Sequence, residues 1–394
     1  MQEKSKPAST PLVMTSELSS LERLIHQKIH EKASISLADY MELCLSHPQH
    51  GYYQSRYPFG RDGDFITAPE ISQIFGEMIG IWILSVWQLL GAPQSFNLVE
   101  VGPGRGTLMS DILRTLAIRP EVREGSAVHL VETSRSLRDL QKKTLSHWEE
   151  QITWHDRVTT VPPQTSILIA NEFLDALPIQ QFIYRDNIWS ERRVTLNDQR
   201  QLEFCDEPVV SPLPALEEAV DGGCKAGDIV EVRPGEGHFL EDWNGKFRNE
   251  KFALLFVDYG YTTDVFGDTL QAVRAHEFVA PLENPGQADL TSHINYARFA
   301  RQAQEIGLNC FGPISQSHFL LSLGLKQRLE RLVAAQTSES PGTEMSTAKT
   351  RETEQLISGA KRLIDPNQMG DLFKVLAVAS SEVEELLPFS KTSL

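Results

Sequence analysis

Apolar and polar positions follow two different rhythms along this chain. Over 15–32 the apolar residues Leu18, Leu21, Leu24, Ile25 and Ile29 recur at helical spacing, and 37–45 continues as a second short helix. From Phe96 onward the rhythm changes to short continuous apolar runs. FNLVEVG at 96–102, AVHLVE at 127–132, ITWH at 152–155, ILIAN at 167–171 and KFALLFVDYG at 251–260 alternate with helical stretches at 106–118 and 134–147. Strands apolar on both faces and separated by helices predict an α/β fold, a doubly wound parallel sheet covered on both sides. FKVLAVAS at 373–380 reads as the last strand, with helices expected at 294–307 and 318–332.

Several stretches depart from this rhythm. Residues 47–70 are rich in Gly, Pro and aromatics and read as a long irregular loop of the kind that carries function. The loop ends in Thr67-Ala-Pro-Glu70, the form of a capping box, and opens a helix running to about Leu90. From 179 to 232 the pattern reads as an insertion, a β-hairpin about Arg185-Asp186-Asn187 followed by a loop and a short helix. Residues 279–289 read as a loop, and 336–352, dominated by Ser, Thr, Glu, Gly and Pro, as a flexible surface loop. The expected division is a disordered tail at 1–16, an N-terminal helical region with a lid loop at 17–95, a cofactor-binding half at 96–178, an inserted α+β region at 179–250, and a C-terminal half at 251–394.

Composition narrows the function. Of 394 residues, 37 are Lys or Arg and 53 are Asp or Glu, so the net charge of −16 disfavours a nucleic-acid partner. The four cysteines, Cys44, Cys205, Cys224 and Cys310, form no CxxC pair, so neither a disulfide framework nor a metal site is expected. The most apolar run, 78–90, is shorter than the ~20 residues of a membrane span, so no membrane insertion is expected. The first twenty residues lack an apolar signal core and any Arg, which favours a bacterial cytoplasm over a mitochondrial matrix.

The chemistry begins at NLVEVGPGRGTL, 97–108, where Glu100, Gly102, Gly104 and Gly106 lie between a strand and a helix opened by Thr107. Glycines let the backbone turn sharply and approach a ligand closely. A dinucleotide site prefers GxGxxG with pyrophosphate on the helix N-terminus, and a carboxylate such as Glu100 repels pyrophosphate. S-adenosylmethionine, with an ammonium, a sulfonium and no phosphate, suits the pattern better. Glu132 ends the second strand, 28 residues after Gly104, where an acidic residue takes ribose hydroxyls in either cofactor class.

A second cluster, Asn171, Glu172 and Asp175, ends the fourth strand and should face the same crevice. Two carboxylates there suit a guanidinium held by charge-assisted bonds. Asn171-Glu172-Phe173-Leu174 departs from the Asn/Asp-Pro-Pro-aromatic run of amide methyltransferases, which disfavours that substrate class. Phe173 reads as core or adenine stacking. The segment 63–67, with Phe65 and Thr67, is read as folding over the cofactor. Asp258 and Tyr259 should reach the crevice rim, and His293 is a weaker candidate base.

Taken together, GYY at 51–53, GDFITAPEISQIFGE at 63–77, VEVGPGRGTL at 99–108, ANEFLDALP at 170–178, VDYGY at 257–261 and ADLTSHINY at 288–296 resemble the MidA family of class I S-adenosylmethionine-dependent methyltransferases, over about 17–380. The resemblance implies a mostly parallel seven-stranded sheet with an added helical and β-rich region. It also implies protein-arginine methylation, as in mitochondrial members that assist respiratory complex I assembly. It carries over Glu100, Gly102, Gly104, Gly106 and Glu132 as cofactor contacts, and Asn171, Glu172 and Asp175 as the reaction site; Thr107, Phe65, Thr67 and Asn171 complete the expected cofactor set. The implied partner is a protein substrate, a complex I subunit among the candidates. A homodimer, a non-catalytic binding protein, a small-molecule methyltransferase and an NAD(P)-dependent oxidoreductase stay open at this stage.

Overall fold

Seven strands line up along one sheet: β1 (Phe96–Val101), β2 (Ser126–Val131), β3 (Ile152–His155), β4 (Ser166–Asn171), β5 (Phe252–Tyr261), β6 (Asn309–Ser315) and β7 (Phe373–Ala379), and a short eighth, Ile294–Asn295, pairs with the end of β5. The computed structural model describes residues 18–55, 67–211, 213–338 and 347–392. The strand order is β3-β2-β1-β4-β5-β7-β6. Strands β1 to β5 pair in parallel, whereas β7 runs antiparallel to both neighbours. Order reverses between β1 and β4, where Glu100 lies opposite Ile169, so the crevice opens beyond Val101 and Asn171.

The unbroken apolar runs are explained by burial on both faces. Leu98, Ile167, Ile169 and Leu255 point into one core with helices α1 (Gln73–Leu89) and α2 (Thr107–Leu116). Their alternates Val99, Leu168, Leu254 and Phe256 point into the other. Burying each such side chain contributes about 1.5–3 kcal/mol. Helix α3 (Arg135–Thr144) follows β2. Helices α4 (Pro234–Phe247) and α5 (Tyr296–Glu305) cover the second core with Trp243, Phe247 and Phe299. At Gly76 a Cβ would lie 2.5 Å from Asp111 Cβ, so α1 and α2 meet only because that position is glycine.

The insertion is a separate antiparallel sheet of Gln180–Arg185, Ile188–Leu196, Leu202–Pro208 and Ile229–Val232. Its expected hairpin turns at Asp186 and Asn187, both in the left-handed region. Ile35 and Ser36 pair with Val194 and Arg193, which ties the N-terminal helices to it. The sequence reading extended the insertion to 250, but α4 packs on the central sheet and is the crossover between β4 and β5.

Other expectations need correction. Thr67 makes no capping bond; Ala68–Ile71 stops after one turn, and extended Ser72 starts α1 by accepting from the Ile74 N–H. The helix expected at 318–332 is two, Gln316–Ser322 and Leu325–Ser338, parted at Gly324 with φ +96°. The expected loop 336–352 is entered by that second helix to Ser338, and Thr347–Ile364 is helical from its start. Ala, Lys, Arg and Glu after 347 are strong helix formers, which composition alone obscures. β6 escaped notice because Gly312-Pro313 interrupts it. The tail 1–16 and Phe65 lie outside the described residues. Among those described, no helix is long and apolar enough to cross a membrane.

Candidate active site

The turn after β1 is built on left-handed backbone. Gly102, Gly104 and Gly106 have φ of +65°, +52° and +81°. An L side chain at any of them strains the backbone, and at Gly102 it would also contact Phe173. Gly106 then caps α2 with Thr107 as its first residue. The Thr107 hydroxyl donates to Glu70 at 2.5 Å. The partner expected to close a capping box thus joins the 67–71 turn to the glycine turn.

One buried amide ties the glycine turn to the end of β2. Gln141, on α3, donates to the Gly104 carbonyl at 2.9 Å and to the Glu132 carboxylate at 3.3 Å. It accepts from Trp154 Nε1 at 2.9 Å. Glu132 also accepts from the Ser134 N–H at 2.8 Å, while burial pushes its carboxyl above the ordinary range. Gln141 was not singled out from sequence, because a neutral amide within a helix carries no motif.

A cleft is lined by Thr67, Glu70, Glu100, Gly102 to Arg105, Thr107, Asn171 and Glu172. Three of its walls are therefore carboxylates. Glu100 is 3% exposed, and burial pushes its carboxyl up to about 8. Its Oε2 and Asn171 Oδ1 are buried acceptors without a hydrogen-bond partner among the described residues. Glu172 sits in the left-handed region at φ +50°. Its N–H donates to the Val257 carbonyl at 2.8 Å, and Oε1 accepts from the Ala68 N–H at 3.3 Å and Asn171 Nδ2 at 3.2 Å. Burial first, and Asp175 second, push Glu172 up to about 7.

The expected carboxylate pair is split. Glu172 lines the cleft and Asp175 does not. Asp175 is buried, its Oδ2 accepts from the Tyr259 hydroxyl at 2.6 Å, and its N–H donates to Asp258 at 3.1 Å. Asp258 is bound by the Tyr259 N–H as well, at 2.9 Å, and burial raises both aspartates above the usual range. Beneath them Arg233 and Glu236 form a buried ion pair at 2.7 Å. Arg233 also donates to the carbonyls of Leu177 and Ser292, each at 3.2 Å. His293 packs edge-on against Tyr259, its pKa lowered by burial, and is not among the cleft residues.

The strand order with an antiparallel β7, the glycine turn at the switch point and the acidic cleft define an S-adenosylmethionine-dependent methyltransferase of the doubly wound class. Residues 78–314 match the family described as S-adenosyl-L-methionine-dependent methyltransferase, and the chain belongs to it. It is 35% identical to the mitochondrial protein arginine methyltransferase NDUFAF7 homolog of Drosophila melanogaster, over 91% of this chain and 84% of that one. With the mitochondrial protein arginine methyltransferase NDUFAF7 of Homo sapiens it shares 33% identity over 90% and 82%. The fold matches a likely methyl transferase from Burkholderia thailandensis, crystallised with S-adenosyl-homocysteine, at a TM-score of 0.80 and 23% identity, covering 95% and 96% of the two chains.

The cleft fits this cofactor. Unpartnered acceptors on Glu100 and Asn171 suit a cationic ligand, which favours ionised carboxylates, whereas a pyrophosphate beside the carboxyl groups of Glu70, Glu100 and Glu172 would oppose their ionisation.

Proposed function

We propose that this chain methylates an arginine side chain of a protein, with a subunit of respiratory complex I as the substrate class. The observation that carries the reading is Glu172, a half-buried carboxylate on the wall shared with the glycine turn and the natural partner of a desolvated guanidinium. The names of the relatives and the resemblance to the MidA family support it further.

In this reading Gly102, Gly104 and Gly106 let the backbone approach the cofactor. Glu132 takes its ribose hydroxyls, Glu100 and Asn171 meet its cationic end, and Thr107 and Thr67 close the rim. Bound S-adenosylmethionine supplies an electrophilic methyl group on a sulfonium. Glu172 binds the guanidinium, fixes the direction of one nitrogen and displaces water from it. Asp175 adds negative charge from outside the cleft wall. Positioning and desolvation of this kind account for most of what an in-line displacement at carbon requires.

The test is methyl transfer from labelled S-adenosylmethionine into extract of cells lacking this gene, with Gly104→Val and Glu172→Gln as controls. A labelled band seen only with the intact chain, digested to methylarginine, is the expected result. Label on another residue, or full labelling by Glu172→Gln, would refute the reading.

A further inference from the structure

Methylation of a guanidinium leaves a proton to be placed. The new nitrogen–carbon bond forms as the methyl carbon–sulfur bond breaks, and the bonding pair stays on sulfur as a neutral thioether. The product guanidinium keeps a single positive charge only if the attacking nitrogen gives up one proton.

Two buried carboxylates, Asp175 and Asp258, stand behind a half-buried third, Glu172, and of the three only Glu172 lines the cleft. The others are held differently. Both Asp258 oxygens are occupied by backbone N–H groups, from Asp175 and Tyr259. Asp175 keeps Oδ2 on the Tyr259 hydroxyl at 2.6 Å, and its Oδ1 has no partner among the described residues. A short phenol-to-carboxylate hydrogen bond favours the charged carboxylate. Tyr259 itself is fixed, its ring edge-on to His293 at 5.2 Å and to Phe373 at 5.5 Å.

We infer that Glu172 accepts the proton released by methylation, and that Tyr259 is a positioning residue for this step because its hydroxyl holds the negative charge on Asp175 that acts on Glu172. The inference rests on the arginine reading for the origin of the proton. The charge coupling between Asp175 and Glu172 belongs to the ligand-free chain and does not depend on that reading. Burial and the Asp175 charge both raise the Glu172 carboxyl, to about 7, where a general base works best at neutral pH. The other groups acting on Glu172 are Asp258 on β5 and Arg362 on the Thr347–Ile364 helix, with Glu70 and Glu100 on the same cleft. Those acting on Asp175 are Tyr259 and Asp258 on β5, Arg233 before α4, Tyr53 in the Tyr52–Ser55 turn and Tyr296 on α5.

The sign follows from the order of the links. Removing the Tyr259 hydroxyl raises the Asp175 carboxyl, Asp175 loses charge, and the Glu172 carboxyl falls. The experiment uses the full chain with its glutamate side-chain carboxyl carbons labelled with carbon-13, titrated by NMR without ligand, the Glu172 signal being assigned by its loss in Glu172→Gln. In Tyr259→Phe and in Asp175→Asn the Glu172 midpoint is expected to fall by about one pH unit. In the same variants the acid limb of kcat for an arginine peptide is expected to move down alongside, with KM changed less than twofold. A Glu172 midpoint that stays or rises in Tyr259→Phe overturns the coupling. A midpoint that falls while the acid limb of kcat stays overturns Glu172 as proton acceptor. If the intact chain methylates no arginine yet the midpoint falls, the arginine reading fails, and with it the assigned proton, while the coupling holds.

Discussion

The Gln141 amide is hydrogen-bonded to the Gly104 carbonyl at 2.9 Å, across 37 residues of chain. This bond fixes the middle of the glycine turn to α3, and the same amide restrains Glu132. Gln141→Leu keeps the volume and removes both donors. Affinity for S-adenosylhomocysteine is expected to fall about tenfold, with a stability loss of about 2 kcal/mol from the acceptors left unpaired. Calorimetric titration alongside a denaturation curve checks both, and unchanged affinity would show that the turn needs no such support.

A side chain at Gly102 meets a strained backbone, where φ is +65°, and would lie against Phe173. Gly102→Val should reduce S-adenosylhomocysteine binding by about a hundredfold, through strain of about 1–3 kcal/mol and a blocked approach. Far-ultraviolet circular dichroism should stay native. Binding within twofold of the parent would show that the cofactor does not rest on this turn.

Glu100 is expected to link cofactor binding to protons. Its carboxyl is pushed up to about 8 by burial, so near pH 7 it is largely protonated in the free chain. A cationic ligand favours the ionised form, so affinity should strengthen as pH rises and level off above about 8. Below that value the loss is about tenfold per pH unit at most, and near pH 7 binding should release about one proton. Calorimetry in two buffers of different ionisation enthalpy reads that proton directly, and Glu100→Gln should abolish it. Equal heats in both buffers would remove Glu100 from the cationic end.

The Arg233–Glu236 pair is buried on both sides and holds the chain after β4 against the segment before α5. Glu236→Gln leaves a buried guanidinium with one charge partner fewer and should cost about 3–5 kcal/mol. A chemical denaturation midpoint measures it. A loss below 1 kcal/mol would mean that water or rearrangement rescues Arg233.

Much of this fold was legible in the sequence because its strands are buried on both faces. FNLVEV, SILIAN and FALLFV announce themselves as unbroken apolar runs, and a glycine turn after the first of them marks the switch point. What escaped is of a different physical kind. Pairing of Ile35 with Val194 joins segments about 160 residues apart, and no local periodicity reports it. β6 is cut by Gly312-Pro313, and α4 was absorbed into the insertion because nothing local marks where the chain returns to the sheet.

The site divides along the same line. Glu100, Asn171 and Glu172 were singled out from their places at strand ends, and the structure brings them to one cleft. Gln141 and Tyr259 were missed or underweighted because their roles exist only through residues brought near by folding. Glu70 was read as a helix cap, and only the tertiary structure shows that it faces Thr107 instead.

β7 also bears on how the protein is made. It wedges between β5 and β6, yet it is translated after both. While the 111 residues between Tyr261 and Phe373 leave the ribosome, the strand that carries Asp258 and Tyr259 presents an uncovered edge of apolar, strand-forming backbone. Keeping that edge from pairing with another chain during synthesis therefore falls to the chain until β7 emerges, after both its neighbours, to close the sheet beside Asp258.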